Sequence, residues 1–198
     1  MFKTEKKIYL RKIGELNNTI LEELKDGLNH IFKKFNLSVK ILKEKMPLKQ
    51  SDYDKGRKQY YADPILQRLF QYSFKKQFFR TVGIMDVDIY SGDLNFVFGI
   101  ANAPRNKLLK FYGSCIISVN RLRQDFYNYE RDKELFKSRV LKEAVHELGH
   151  TFGLTHCDNY CIMKFSNHLG ETDQKPVEFC DSCLSKLSNF LGDRNFKS

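Results

Sequence analysis

The chain has 198 residues, 41% hydrophobic and 14% aromatic, with 17 Phe, 10 Tyr and no Trp, which excludes a disordered polymer and a small fold that needs a disulfide scaffold. Its net charge of +10 lies wholly in the first part: residues 1–80 hold 19 Lys and Arg against 9 Asp and Glu, whereas residues 81–198 hold 15 of each. No nucleic-acid motif accompanies that charge, so a solvated Lys-rich face is the favoured reading; no apolar run is long enough for a membrane span, and residues 1–14 lack a signal-peptide core, which together point to the cytoplasm.

Residues 6–13 (KKIYLRKI) read as a first strand. Residues 16–35 carry Ile20, Leu21, Leu24, Leu28, Ile31 and Phe32 at spacings of three and four, the stripe of an amphipathic helix. Residues 37–42 alternate and predict a second strand, and residues 43–58, polar and marked by Pro47 and Gly56, a surface loop. A second helix is expected over 64–79, then strands over 81–90, 94–101 and 112–119. Ser91, Gly92 and Asp93 between the first two strands suggest a hairpin. Residues 131–152 form the clearest helix, with Leu141, Val145, Leu148 and Phe152 facing the core, and a terminal helix is expected over 183–191. Strand, helix and strand followed by more strands predict an α/β fold, a mixed sheet with helices packed on it.

The run HELGH lies inside that clearest helix. Residues i and i+4 project about 40° apart, so His146 and His150 present both imidazoles to one point. Glu147 is rotated by roughly 100° and reaches a water beside a metal without ligating it. Gly153 allows the left-handed turn that ends the helix and returns His156 to the same point. Three imidazoles leave one corner of a tetrahedron free, which is the pattern of catalytic zinc. HELGHTFGLTH is HExxHxxGxxH, the extended metzincin signature. A helix that merely carried two solvated histidines would explain neither Gly153 nor His156. Met163, seven residues on, is the candidate Met-turn floor.

Cys157, Cys161, Cys180 and Cys183 form C-x3-C and C-x2-C pairs. Four thiolates at such spacings suit a closed structural zinc site; two disulfides in any of three pairings are the rival, disfavoured in a reducing compartment. Cys115, in the apolar run GSCIISV, reads as an inert buried thiol. Asp86 and Asp88 share a strand face and read as partners of basic residues in the N-terminal part. Phe96, Phe98 and Ile100 read as core packing of one strand face, and His30 and His168 as surface residues.

The run HELGHTFGLTHC, with CIM and CDSC behind it, resembles the archaemetzincins, zinc metallopeptidases of the metzincin clan. IGEL at 13–16, RKQYYADPIL at 57–66, DVDIY at 86–90, LNFVFGIA at 94–101 and SVNRLR at 118–123 are similar to family segments. One departure is visible: three residues separate Cys157 from Cys161, one fewer than in the family pattern. The resemblance implies a metzincin-like α/β fold over 1–198, with a sheet-bearing upper part (1–153) and a smaller lower part (154–198) stapled by the cysteines. It implies two zinc ions per chain, catalytic zinc on His146, His150 and His156 and structural zinc on Cys157, Cys161, Cys180 and Cys183, with Glu147 as general base and Met163 as the Met-turn. Residues 94–101 would be an antiparallel edge strand over the cleft, with Gly99 letting a substrate backbone approach closely. The expected partner is a peptide or protein substrate of a monomer, with no membrane and no nucleic acid, and both endopeptidase and aminopeptidase action stay open. Two rival classes remain on the residues alone: a zinc-stabilised protein that binds nucleic acid or an acidic partner through its basic N-terminal region, and a peptide binder with little turnover.

Overall fold

The computed structural model describes residues 6–192. Its main sheet contains β1 (Lys7–Lys12), β2 (Ser38–Ile41), β5 (Arg80–Met85), β7 (Gly99–Ala101) and β8 (Gly113–Ser118) in the order β2-β1-β5-β8-β7. The first four run parallel, and β7 closes one edge antiparallel to β8, pairing Gly99 with Ile117 and Ala101 with Cys115. β5 and β8 are buried at every position, as parallel strands covered on both faces must be. Alternation then sorts their side chains: Cys115 and Ile117 point into the larger core, Ile116 into the smaller.

α1 (Asn18–Phe32) and α4 (Lys133–Thr151) cover the larger core face, and α2 (Ala62–Lys75) covers the other. α1 starts where the Asn17 side chain accepts the Thr19 N–H and buries Leu21, Leu24, Leu28 and Phe32. Each such side chain contributes about 1.5–3 kcal/mol when taken from water. Arg80, wholly buried at the start of β5, is kept hydrated in effect by the carbonyls of Phe79, Lys110 and Thr151, and lies against the rings of Phe79, Phe152 and Phe190. It thereby ties the last turn of α4 to the sheet.

The mixed α/β architecture and antiparallel edge strand agree with the sequence expectation, but three details differ. First, residues 81–90 are not one strand. β5 ends at Met85, and β6 (Ile89–Tyr90) leaves to pair with β4 (Gln59–Tyr61), which itself pairs with β3 (Tyr53–Asp54) in a separate small sheet. The expected hairpin at Ser91, Gly92 and Asp93 therefore does not form, because its two arms belong to different sheets. Second, Asp86 and Asp88 at this divergence pair with Arg123 and Arg121, Asp86 Oδ2 at 2.7 Å and Asp88 at 2.5 and 2.7 Å, and not with the N-terminal basic residues. Third, regular pairing in 94–101 is confined to β7. Phe96 and Phe98 pack on the larger core and Ile100 on the smaller, so the three do not share one face.

Helix bounds differ little: α1 passes into a 3-10 turn over Lys33–Phe35, and α2 begins at Ala62, before Pro64, a residue favoured in a first helical turn. Beyond α3 (Lys107–Phe111) and α4, the chain is irregular except for α5 (Leu169–Gln174) and α6 (Asp181–Gly192). No helix among the described residues is long and apolar enough to cross a membrane.

Candidate active site

α4 carries the site because both of its sides are spent. Its apolar side packs on the sheet through Val140, Ala144, Val145 and Leu148. Its polar side is buried too: Arg139 forms a two-pronged pair with Asp173, both contacts 2.6 Å, and Lys142 donates to the carbonyls of Thr172 and Asp173. α5 is thus clamped against the polar side, and the histidines face the gap that remains.

His146 is buried, His150 half-buried and His156 exposed. The Nδ1 atom of His146 lies 2.9 Å from the Ile162 carbonyl, and that of His150 lies 2.8 Å from the Leu154 carbonyl. A carbonyl only accepts, so Nδ1 carries the proton in each ring and Nε2 keeps its lone pair. Those two Nε2 atoms face each other at 3.1 Å. Two lone pairs that close repel unless a cation lies between them, and nitrogens bound to tetrahedral zinc at about 2.0–2.1 Å stand about 3.3 Å apart. His156 completes the set: one nitrogen from each of the three rings lies within 4.8 Å of the others. Gly153, at φ +85°, makes the turn that returns the chain, and the Phe165 ring, 4.8 Å away, backs His156. Burial lowers the proton affinity of all three imidazoles, most for His146, with the positive charge of Lys175 second there.

Met163 is fully buried beneath α4. A side chain at Gly149 would collide with its sulfur, so the second x of the HExxH motif is a glycine for packing reasons. On the other side of α4, Gly99 of β7 lies over Glu147: a Cβ there would sit 2.6 Å from Glu147 Cγ and 2.8 Å from the Ile116 carbonyl oxygen. The room that Gly99 makes is therefore taken by Glu147. Glu147 is 5% exposed, and its Oε2 has no hydrogen-bond partner. Burial, then the neighbouring Glu143, raises its carboxyl well above the usual carboxylate range.

These groups line one cleft of about 730 Å³ between β7 and α4, with the loop at Phe165 and Asn167 opposite. Glu143 and Lys175 also line it. Sequence reading missed both: Glu143 is the helical position one turn before Glu147, a signal that was available, but Lys175 follows α5 and has no local motif.

The four thiols form a second group, with sulfurs within 4.8 Å of one another and Cys157 3.7 Å from Cys180. None is in a disulfide. Sulfurs around tetrahedral zinc at about 2.3 Å stand about 3.8 Å apart, so the spacing fits the ion. Burial raises the Cys161 thiol above its ordinary value, and the N–H groups of Met163 and Cys180, donating to its Sγ at 3.4 and 3.3 Å, offset that in part. The loop one residue short still brings all four sulfurs together. Cys115 lies apart, buried under the sheet, while His30 and His168 are exposed.

Comparison with known proteins gives the family and the fold. The profile of Peptidase family M54 matches residues 6–189. The archaemetzincin of Pyrococcus furiosus is 39% identical over 183 residues, which is 91% of each chain. Among solved structures, the archaemetzincin of Archaeoglobus fulgidus complexed with malonate superimposes with a TM-score of 0.74 at 37% identity, over 91% of this chain and 99% of that one. A zinc-dependent peptidase from Methanocorpusculum labreanum gives a TM-score of 0.77 at 27% identity, with the same coverage.

Proposed function

The chain belongs to peptidase family M54 and is a zinc metallopeptidase, and from that premise we propose how its residues divide the work. His146, His150 and His156 hold the catalytic zinc, and Cys157, Cys161, Cys180 and Cys183 hold a second, structural one, two ions per chain. The observation that carries the reading is the pair of Nε2 lone pairs facing each other at 3.1 Å with both Nδ1 protons committed to carbonyls. Zinc in such a nitrogen set supplies Lewis acidity, polarising a carbonyl and making water a better nucleophile near neutral pH.

Glu147 is the general base. Its Oε2, buried and without a partner, takes a proton from the attacking water and hands it to the leaving amine. Gly99 lets the edge strand lie directly over that carboxyl, and Met163 forms the floor beneath the histidines. The open edge of β7 receives an extended peptide as an added strand, so the substrate backbone is held by main-chain hydrogen bonds. The upper part, residues 1–153, supplies the sheet and α4, while residues 154–198 form a lower part organised by the thiols. All the groups needed lie in one chain, in keeping with a cytoplasmic monomer that takes peptides and not nucleic acid.

The test is Glu147→Gln. It retains both zinc ions and lowers peptide turnover by about 10²- to 10⁴-fold; undiminished hydrolysis by that variant removes Glu147 from the mechanism.

A further inference from the structure

Lys175 is 4% exposed and lines the cleft, yet the hydrolysis described above does not use it. A buried ammonium has three protons to place and a charge to balance. The two other cations buried at the junction of α4 and α5 are satisfied: Arg139 by Asp173 and the Leu122 carbonyl, Lys142 by two carbonyls. Lys175 is not. Its hydrogen bond is a long one, 3.4 Å, to the Lys164 carbonyl, and no carboxylate among the described residues forms an ion pair with it. Glu143 and Glu147 on α4 act on its charge from beyond ion-pair distance.

The position of this ammonium relative to the reaction follows from the helix. Glu147 delivers its proton to the leaving amine, so the residue released with a new N-terminus lies on the Glu147 side of the histidines. Glu143 is one turn further along the same face, and Lys175 lines the same cleft, its charge acting on Glu143. In a strand paired to β7, side chains alternate, and one on the leaving side turns down into the cleft. We infer that Lys175 is a specificity-determining residue: its ammonium receives a carboxylate from the substrate residue that follows the scissile bond. The carboxylate comes either from an acidic side chain or from the C-terminus of a peptide cleaved at its last bond. With no carboxylate in ion-pair contact among the described residues, the direct contacts of Lys175 are left to the substrate.

The inference rests on the peptidase reading of the cleft, so the test separates the two. Matched peptides carry Glu, Gln or Leu directly after the cleavage site, and a second pair ends there in a free carboxylate or an amide. The wild-type chain cleaves the Glu peptide with a kcat/KM at least tenfold above the Gln peptide. Lys175→Met brings that ratio to about one whatever its absolute rates, and Lys175→Arg retains it. If the free-carboxylate peptide shows the preference and the internal Glu does not, the chain terminus is the source. The same Glu and Gln peptides, fluorescein-labelled, are also titrated onto zinc-loaded Glu147→Gln protein, which reads the preference as a ratio of Kd values without turnover. Absent cleavage of any peptide overturns the proposed reaction, while the binding ratio still decides Lys175. Equal constants within both pairs, Glu against Gln and free carboxylate against amide, or a preference that survives Lys175→Met, overturn the inference. Should Lys175→Met fail to fold, Lys175→Gln replaces it, with the same loss of preference expected.

Discussion

The two metal-binding groups are neighbours in sequence, His156 next to Cys157, but the fold treats them oppositely. His146 and His150 stand on a 19-residue helix whose apolar side is anchored in the main core, and exposure rises from His146 through His150 to His156. The set is therefore open on one side. The thiols come from irregular chain and the first turn of α6, with Cys161 and Cys183 buried. The helices there are short, α5 with 6 residues and α6 with 12, lengths at which an isolated helix is marginal, and the region leans on the main core through Ile162, Met163, Phe179, Leu187 and Leu191. The fold positions the histidines, whereas on the proposed assignment the cysteines, joined by a metal, would hold their own region together. An ion in the first group would then act on substrate, and one in the second would fasten the short-helix region to the core.

Breaking the second group should thus cost stability and breaking the first only activity. Cys161→Ser should show the largest effect. Metal binding of this type carries about 10–16 kcal/mol in small zinc domains, so we expect a loss of at least about 5 kcal/mol. At about 2–4 °C per kcal/mol for a chain of this size, thermal unfolding should shift down by 10 °C or more. Glu147→Gln comes next, with the turnover loss given above and no fall in Tm. A Tm drop in Glu147→Gln as large as in Cys161→Ser would erase the contrast.

Gly99→Ala sharpens it from the sheet side. The added methyl meets both Glu147 and the Ile116 backbone oxygen, and the backbone cannot swing away. Overpacking of this kind costs about 1–3 kcal/mol, and β7 is displaced from Glu147, so kcat/KM should fall about tenfold in steady-state assays. The smallest effect is expected for Phe165→Ala. Loss of the ring behind His156 removes a contact of about 0.5–1.5 kcal/mol, which weakens catalytic zinc affinity by about 3- to 10-fold in a chelator competition and leaves the thiol-bound zinc unchanged.

What could be read from the sequence follows the range of the forces involved. HELGHTFGLTH holds its ligands, base and turn within eleven residues, and helix geometry alone converges His146 and His150. The cysteine pairs are legible for the same reason. Partner choice in the sheets is not local: Ser91, Gly92 and Asp93 signal a turn correctly, but whether Ile89 and Tyr90 pair with 94–101 or with β4 depends on residues thirty positions earlier. The cleft floor is harder still. Glu143 sits at a legible helical spacing, but Lys175 shares its cleft through Arg139 and Lys142 clamping α5 onto α4, contacts that span 34 and 30 residues of chain. Gly149 was visible as a letter in the motif, yet its reason, the Met163 sulfur beneath it, is a tertiary contact.

The most direct test of the account is the zinc content per chain of the purified wild type and of His156→Ala, measured beside peptide hydrolysis on the same samples. We expect two ions falling to one, with hydrolysis lost and the thermal midpoint kept. A wild type that holds one ion, or a variant that keeps both and still turns over peptide, would contradict the assignment of the three imidazoles to a catalytic metal.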